Sequence, residues 1–198
     1  PQRERYSKNL ARFVTEGRVL ARLNHPGIVR VHNLFEEHGT AYLVMELVAG
    51  RSLHGELDTQ TGRRLPEGRI RTIMDQLVDA LGAVHDAGIF HLDIKPQNVI
   101  IAPGDRACLI DFGAARQDMT DRGHGSSSTT RAYTPDYAPI EVMTGKALGP
   151  GSDLFELAMM LHELLTGTLP PTALDRLLSG AMEWTPDLPE PWRGLLKQ

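Results

Sequence analysis

The sequence predicts an α+β fold that is mostly helical, and three observations predict it. Leu10, Phe13, Val14, Gly17, Leu20, Ala21 and Leu23 recur at helical spacing. Two short runs of strand character follow, Ile28 to Phe35 and Ala41 to Leu47. From Leu154 to Leu165 the chain is apolar almost all round, as in a helix buried at the centre of a domain.

The first pattern predicts an amphipathic helix over about residues 8 to 23, stopped by Asn24-His25-Pro26-Gly27. The two strands are expected to form a hairpin through Glu36-Glu37-His38-Gly39-Thr40. A short helix is expected near Ser52 to Asp58. Pro66 suits the first turn of the next helix, whose apolar face is Ile70, Ile73, Met74, Leu77, Leu81 and Val84, with Gly88 as its stop. Val99 to Ala102 and Ala107 to Ile110 form a second strand pair around Pro103-Gly104-Asp105. Residues 114 to 136 change character, and within them Gly123 to Thr130, lacking any periodicity, reads as a mobile loop. The last thirty residues, rich in Pro and Leu, predict short helices with irregular connections.

The 198 residues suffice for one domain with a sizeable core, and 41% hydrophobic with 23% charged residues is ordinary for a soluble globular chain. A formal net charge of -4 gives no electrostatic case for nucleic acid or anionic lipid as a partner. No apolar run is long enough to span a bilayer within this chain, and no signal-peptide pattern opens it. The single cysteine, Cys108, excludes an internal disulfide and suits a reducing compartment, so a cytoplasmic location is expected. It sits in the apolar run Ala107 to Ile110 and reads as a buried strand residue. The histidines lack metal-ligand spacing, which argues against zinc.

The chemistry concentrates in His91-Leu92-Asp93-Ile94-Lys95-Pro96-Gln97-Asn98 and in Asp111-Phe112-Gly113. An acid there can orient a hydroxyl, a cation can neutralise charge on a transferred group, and an amide with a carboxylate can hold Mg²⁺. Alone, Asp93 would be a solvated loop residue, Lys95 a surface lysine and Asn98 a turn residue. The ordered set reverses those odds and points to phosphoryl transfer.

Six motifs in order over essentially the whole chain resemble the eukaryotic-like protein kinase family, bacterial serine/threonine members in particular. Phe13 to Glu16 through Leu23 to Val29 is similar to the small-lobe regulatory helix and the strand after it. Tyr42 to Gly50 is similar to the hinge, His91 to Asn98 to the catalytic loop, and Asp111 to Gly113 to the metal-binding motif. Thr134 to Glu141 is similar to the end of the activation segment, and Ser152 to Phe155 to the start of the central helix. The resemblance implies a kinase-like α+β fold, with residues 1–47 part of a small lobe and 48–198 the large catalytic lobe.

It also implies the roles. Asp93 would orient the acceptor hydroxyl, Lys95 would neutralise the γ-phosphate, and Asn98 and Asp111 would bind Mg²⁺. Met45, as gatekeeper, would stand beside the hinge contacts of Glu46 and Val48 to the adenine of ATP, with Ile100 beneath the ring. Thr134 would bond near Asp93 and favour a protein serine or threonine as acceptor. Leu20, Val31, His91 and Phe112 match an apolar column linking the lobes, in which His91 is a packed structural residue. Asp153 would brace the catalytic loop, and Glu141 would pair with a later arginine. Glu16 either pairs with a small-lobe lysine or faces solvent.

The chain departs from the family pattern in two ways. No G-x-G-x-x-G loop or strand lysine precedes Glu16, and Lys8 reads as a solvated helix residue. With Pro1 as the first residue, this reads as a kinase piece truncated at both ends, with ATP binding impaired in the chain as given. Leu92 stands where many kinases carry an arginine that reads activation-loop phosphate, so activation is expected not to need that contact. Ser126 to Thr130 are either phosphorylation sites or simply a flexible run. The alternative readings are a pseudokinase-like scaffold without catalysis and, behind it, a small-molecule phosphotransferase.

Overall fold

The computed structural model describes residues 2–112, 116–117, 133–179 and 192. Gly113, the Gly123 to Thr130 stretch and most of the last thirty residues, expected respectively as a motif glycine, a loop and short helices, lie outside them.

Helix α1 (Gln2–Leu20) begins earlier than the apolar pattern suggests and ends sooner. Its first turns carry good helix formers without an apolar rhythm, so periodicity alone misses them. Lys8 is exposed there, near Glu4 at 3.5 Å. Ala21 and Leu23, expected inside the helix, lie in a closing turn, where Leu23 N–H donates to Leu20 O at 3.0 Å.

Strands β1 (Val31–Glu37) and β2 (Thr40–Met45) pair antiparallel. The turn between them is tighter than expected, because His38 (φ 52°) and Gly39 (φ 73°) both adopt the left-handed conformation of a type I′ turn. Phe35 and Tyr42 face each other in this register and stack at 5.1 Å. Ile28 and Val29, expected at the start of this hairpin, instead join a different strand. Ile28 bridges Leu109 in parallel, Val29 N–H donates to Leu109 O at 2.9 Å, and Leu109 N–H donates to Gly27 O at 2.8 Å.

Strand β3 (Arg51–Ser52) leads into α2 (Leu53–Leu57), capped by Ser52 Oγ accepting from Gly55 N–H at 3.1 Å. Gly50 precedes it, and a Cβ there would lie 2.3 Å from the Ile101 carbonyl, so only glycine lets this backbone lie against its neighbour. Helix α3 (Glu67–Asp86) buries the whole predicted face, Ile70, Ile73, Met74, Leu77, Leu81 and Val84. Each such side chain contributes about 1.5–3 kcal/mol. Pro66 occupies the N-cap position, one step ahead of the first-turn slot expected for it.

Strand β4 (Ile89–Phe90) follows α3 and pairs antiparallel with β7 (Arg116–Gln117). The strand β7 lies ahead of the Gly123 to Thr130 loop that the sequence predicts. Between them, β5 (Val99–Ala102) and β6 (Arg106–Leu109) pair antiparallel, and the sheet order is β3-β5-β6. Cys108 is buried in β6.

After the short helix α4 (Ile140–Thr144) comes the central helix α5 (Pro150–Thr166), followed by α6 (Ala173–Ser179). The all-round apolar reading of α5 needs correcting. Leu154 is 49% exposed, whereas Asp153, Glu156, His162 and Glu163 are buried. The helix is central because it carries polar braces as well as packing. Trp192 is also buried, and its indole N–H donates to Glu67 at 3.0 Å.

Helices thus surround small antiparallel sheets, the α+β arrangement that the sequence predicts. Most buried side chains form one apolar cluster, and Phe90, Leu92, Ala138 and Val142 form a second. Among the described residues, no helix is long and apolar enough to cross a membrane.

Candidate active site

Strand β4 delivers the chain into the loop 91–98, and α5 holds that loop from below. The Asp153 carboxylate, fully buried, accepts from His91 N–H at 3.0 Å, Leu92 N–H at 2.8 Å and the His85 ring at 2.7 Å. Charge-assisted bonds to backbone amides are among the stronger ones a fold can use. Through these bonds Asp153 joins α5 to the start of the loop. His91 is buried too. Its ring lies 4.6 Å from that of Phe112, and Nε2 donates to Ile110 O at 3.1 Å. Burial pushes its pKa down and holds it neutral. Leu20, Val31 and Phe112 lie in the main apolar cluster, and His91 joins it through Phe112.

Around Asp93 the side chains close into a ring. Lys95 Nζ donates to Asp93 Oδ2 at 2.7 Å and to Thr134 Oγ1 at 2.7 Å. The Thr134 hydroxyl donates in turn to Asp93 Oδ1 at 2.8 Å. Asn98 Nδ2 donates to Asp93 Oδ2 at 2.9 Å and to the Asp93 carbonyl at 2.8 Å. A carboxylate offers about four lone-pair directions, and among the described residues three are used here, two on Oδ2 and one on Oδ1. Among those residues, Oδ1 keeps one direction for a further donor.

Its Nδ2 is spent on Asp93, so the amide oxygen of Asn98 is the atom that could face a metal. Asn98 O also accepts from Ile110 N–H at 2.9 Å, which ties this loop to the segment ending in Asp111. Asp111 adopts a left-handed conformation (φ 60°) and is exposed. One amide oxygen and one carboxylate are hard donors that fit Mg²⁺, an ion that keeps waters and phosphate oxygens in its shell. Among the described residues, no cluster of three or more His, Cys, Asp or Glu groups could hold a metal by protein ligands alone.

Of the candidate adenine-contacting residues, Met45 at the end of β2 and Glu46 just after it are exposed, and Val48 is partly buried. Glu46 N–H donates to Arg30 O at 2.8 Å, which leaves its carbonyl outside that bond. Ile100 pairs with Cys108 between β5 and β6 and is partly buried. Glu16 lies 4.0 Å from Arg12 on the same helix. Glu141 accepts from the Ser152 hydroxyl at 2.9 Å. This short bond joins the start of α4 to the start of α5.

Two residues escaped the sequence reading. His85 grips Asp153, and Glu156 Oε2 accepts from Ile94 N–H at 2.7 Å. The spacing of Asp153 and Glu156, one turn apart on a helix, puts both acids on one face and was the available signal.

A family model of the protein kinase domain matches residues 1–183. The chain is 38% identical over 163 residues to the serine/threonine-protein kinase pkn2 of Myxococcus xanthus, covering 80% of this chain and 19% of that protein. It is 36% identical over 172 residues to pkn3 of the same organism, covering 82% and 31%. It is 37% identical over 170 residues to the serine/threonine-protein kinase PkaB of Streptomyces coelicolor, covering 81% and 40%. The chain thus spans between 19% and 40% of the length of these relatives.

Proposed function

The chain belongs to the protein kinase family, and on that premise we propose that it transfers the γ-phosphoryl group of ATP to a serine or threonine hydroxyl of a protein. The observation that carries this reading is the ring of Lys95, Thr134 and Asn98 around Asp93. In this reading, residues 1–47 belong to a small lobe and 48–198 to the large catalytic lobe. The buried single thiol of Cys108 fits a cytoplasmic setting.

Asp93 holds the acceptor O–H at the open direction of Oδ1 and takes its proton as the new O–P bond forms and the bond from the γ-phosphorus to the bridging oxygen breaks, releasing ADP. Lys95 places a positive charge beside that point, where charge on the transferred group must be offset. Thr134 fixes both partners, so the acceptor meets a prearranged carboxylate, and most of the advantage is positioning. Asn98 and Asp111 hold Mg²⁺, which when bound supplies charge neutralisation at the phosphates. Glu46 and Val48 contact adenine through their backbone, Met45 sets the depth beside it, and Ile100 supports the ring. Glu16 serves the lobe that covers the phosphates.

The test is transfer of labelled γ-phosphate to a general protein acceptor by the full-length protein, with Mg²⁺ and with chelator. Mg²⁺-dependent label on serine or threonine is expected. Mg-ATP at 100 times its Kd should also add about 2.7 kcal/mol of stability. No transfer and no shift on melting would favour the scaffold reading.

Leu92 sets the regulation in this reading. It is buried beside Phe90, Ala138 and Val142, with Tyr133, Met143 and Leu148 packed around them. An apolar contact thus joins the catalytic loop to residues 133–148, where an arginine would need a phosphate partner. Activity of the full-length protein should therefore be the same before and after phosphatase treatment. A large loss on treatment would contradict this.

A further inference from the structure

We infer that Glu156 is a positioning residue for phosphoryl transfer, acting through the Asp93–Ile94 peptide on Asp93 and Asn98. This inference rests on the proposed kinase activity and names a residue for it. A trans peptide points its N–H and its C=O to opposite sides. Here the N–H, from Ile94, goes to Glu156 Oε2 at 2.7 Å, and the C=O, from Asp93, accepts Asn98 Nδ2 at 2.8 Å. One peptide plane is thereby clamped between α5 and the side chain whose amide oxygen is assigned to the metal.

Neither end of this clamp has slack. Glu156 is 1% exposed, Ile94 is 0% exposed, and Asn98 is 5% exposed. Asp153 already holds the His91 and Leu92 amides, so two acids on one face of α5 fix most of the amides leading to Lys95. Glu156 holds the N–H side of the plane next to the reacting carboxylate. If its acceptor is lost, the peptide is free to rotate, because a buried N–H without a partner seeks another. Rotation turns the Asp93 carbonyl off Asn98, and the Asn98 amide turns with it. Burial pushes the Glu156 acid up to about 9, so near neutral pH the group is an uncharged acid that glutamine can imitate.

The experiment compares Glu156→Leu and Glu156→Gln in the full-length protein, with Asp93→Asn as the inactive reference. A displacement of about 1 Å near a reacting group can cost about 100-fold in rate. Glu156→Leu should lower kcat on that scale and raise the Mg²⁺ needed for half-maximal rate, while the KM for the protein acceptor stays within about threefold. Glu156→Gln, which keeps an acceptor oxygen, should restore most of both losses. Hydrogen exchange at the Ile94 amide, readable without turnover, should speed up in Glu156→Leu and stay slow in Glu156→Gln. Should Glu156→Leu fail to fold, Glu156→Asp withdraws the acceptor by one methylene, and the same changes are expected of it. A folded variant lacking the acceptor that keeps kcat and its Mg²⁺ requirement overturns the inference, as does equal loss in Glu156→Gln. If the wild type transfers no phosphate beyond Asp93→Asn, the kinase reading fails. The inference as stated, which names a residue for that transfer, falls with it, and the exchange data then report only the bond between Glu156 and Ile94.

Discussion

Asp93→Asn is expected to abolish phosphate transfer while leaving the fold intact. The side chain keeps its size, so no cavity opens, and its neighbours are two residues of its own loop, Lys95 and Asn98, with the remote Thr134. What changes is the lone-pair count. The carboxylate receives Lys95 and Asn98 on Oδ2 and Thr134 on Oδ1. An amide replaces one of these oxygens with an NH₂ group, a donor. If the NH₂ takes the Oδ2 place, it opposes two donors, Lys95 Nζ and Asn98 Nδ2. If it takes the Oδ1 place, it faces the Thr134 hydroxyl, which can turn, but the open direction for the acceptor O–H is gone. Either way the proton acceptor is lost.

General-base loss costs roughly 10²–10⁴-fold, and the effect should fall on kcat with little change in KM for ATP, since Asp93 is not among the residues assigned to adenine. Steady-state kinetics with labelled ATP, beside a thermal melt showing a folded protein, make the check. Equal rates in wild type and Asp93→Asn would remove Asp93 from the mechanism.

The ring around Asp93 was legible because most of it is local. Asp93, Lys95 and Asn98 share one short loop, so their order announces their proximity. Thr134 and Asp153 are remote and became visible only through motif order. The clamp by Glu156 was not read, although Asp153 and Glu156 stand one turn apart. Hydropathy scored α5 as uniformly apolar, and it took the placement of loop 91–98 to show which polar groups turn inward. The reverse error is Leu154, apolar and 49% exposed.

The strand pairings show the same limit. Short runs of strand character marked β1, β2, β5 and β6, yet could not say that Ile28 would bridge Leu109 rather than extend β1. Periodicity reports which face is buried, and it carries no information on a distant partner. Six of the seven buried residues of α3 were legible, all but Ala80, for the complementary reason: a 3.6-residue stripe needs only a core to meet.

The second large effect should fall on stability. Asp153→Asn is expected to destabilise the fold by several kcal/mol, although it removes no volume. Three donors converge on this carboxylate: His91 N–H and the His85 ring on Oδ2, and Leu92 N–H on Oδ1. An asparagine accepts at one oxygen only, so its NH₂ must face at least one buried donor. Each buried donor left unmatched costs about 1–3 kcal/mol, against a total stability of roughly 5–15 kcal/mol. Asp153→Ala strands all three and adds a cavity, so it should cost more and bring the domain near its unfolding threshold. Leu154→Ala, the next residue along and half exposed, should stay within about ±0.5 kcal/mol. Urea unfolding of the three variants gives the ranking. The decisive case is Asp153→Asn: if it unfolds at the wild-type midpoint, the hydrogen bonds from α5 to the loop are not what holds the site in place.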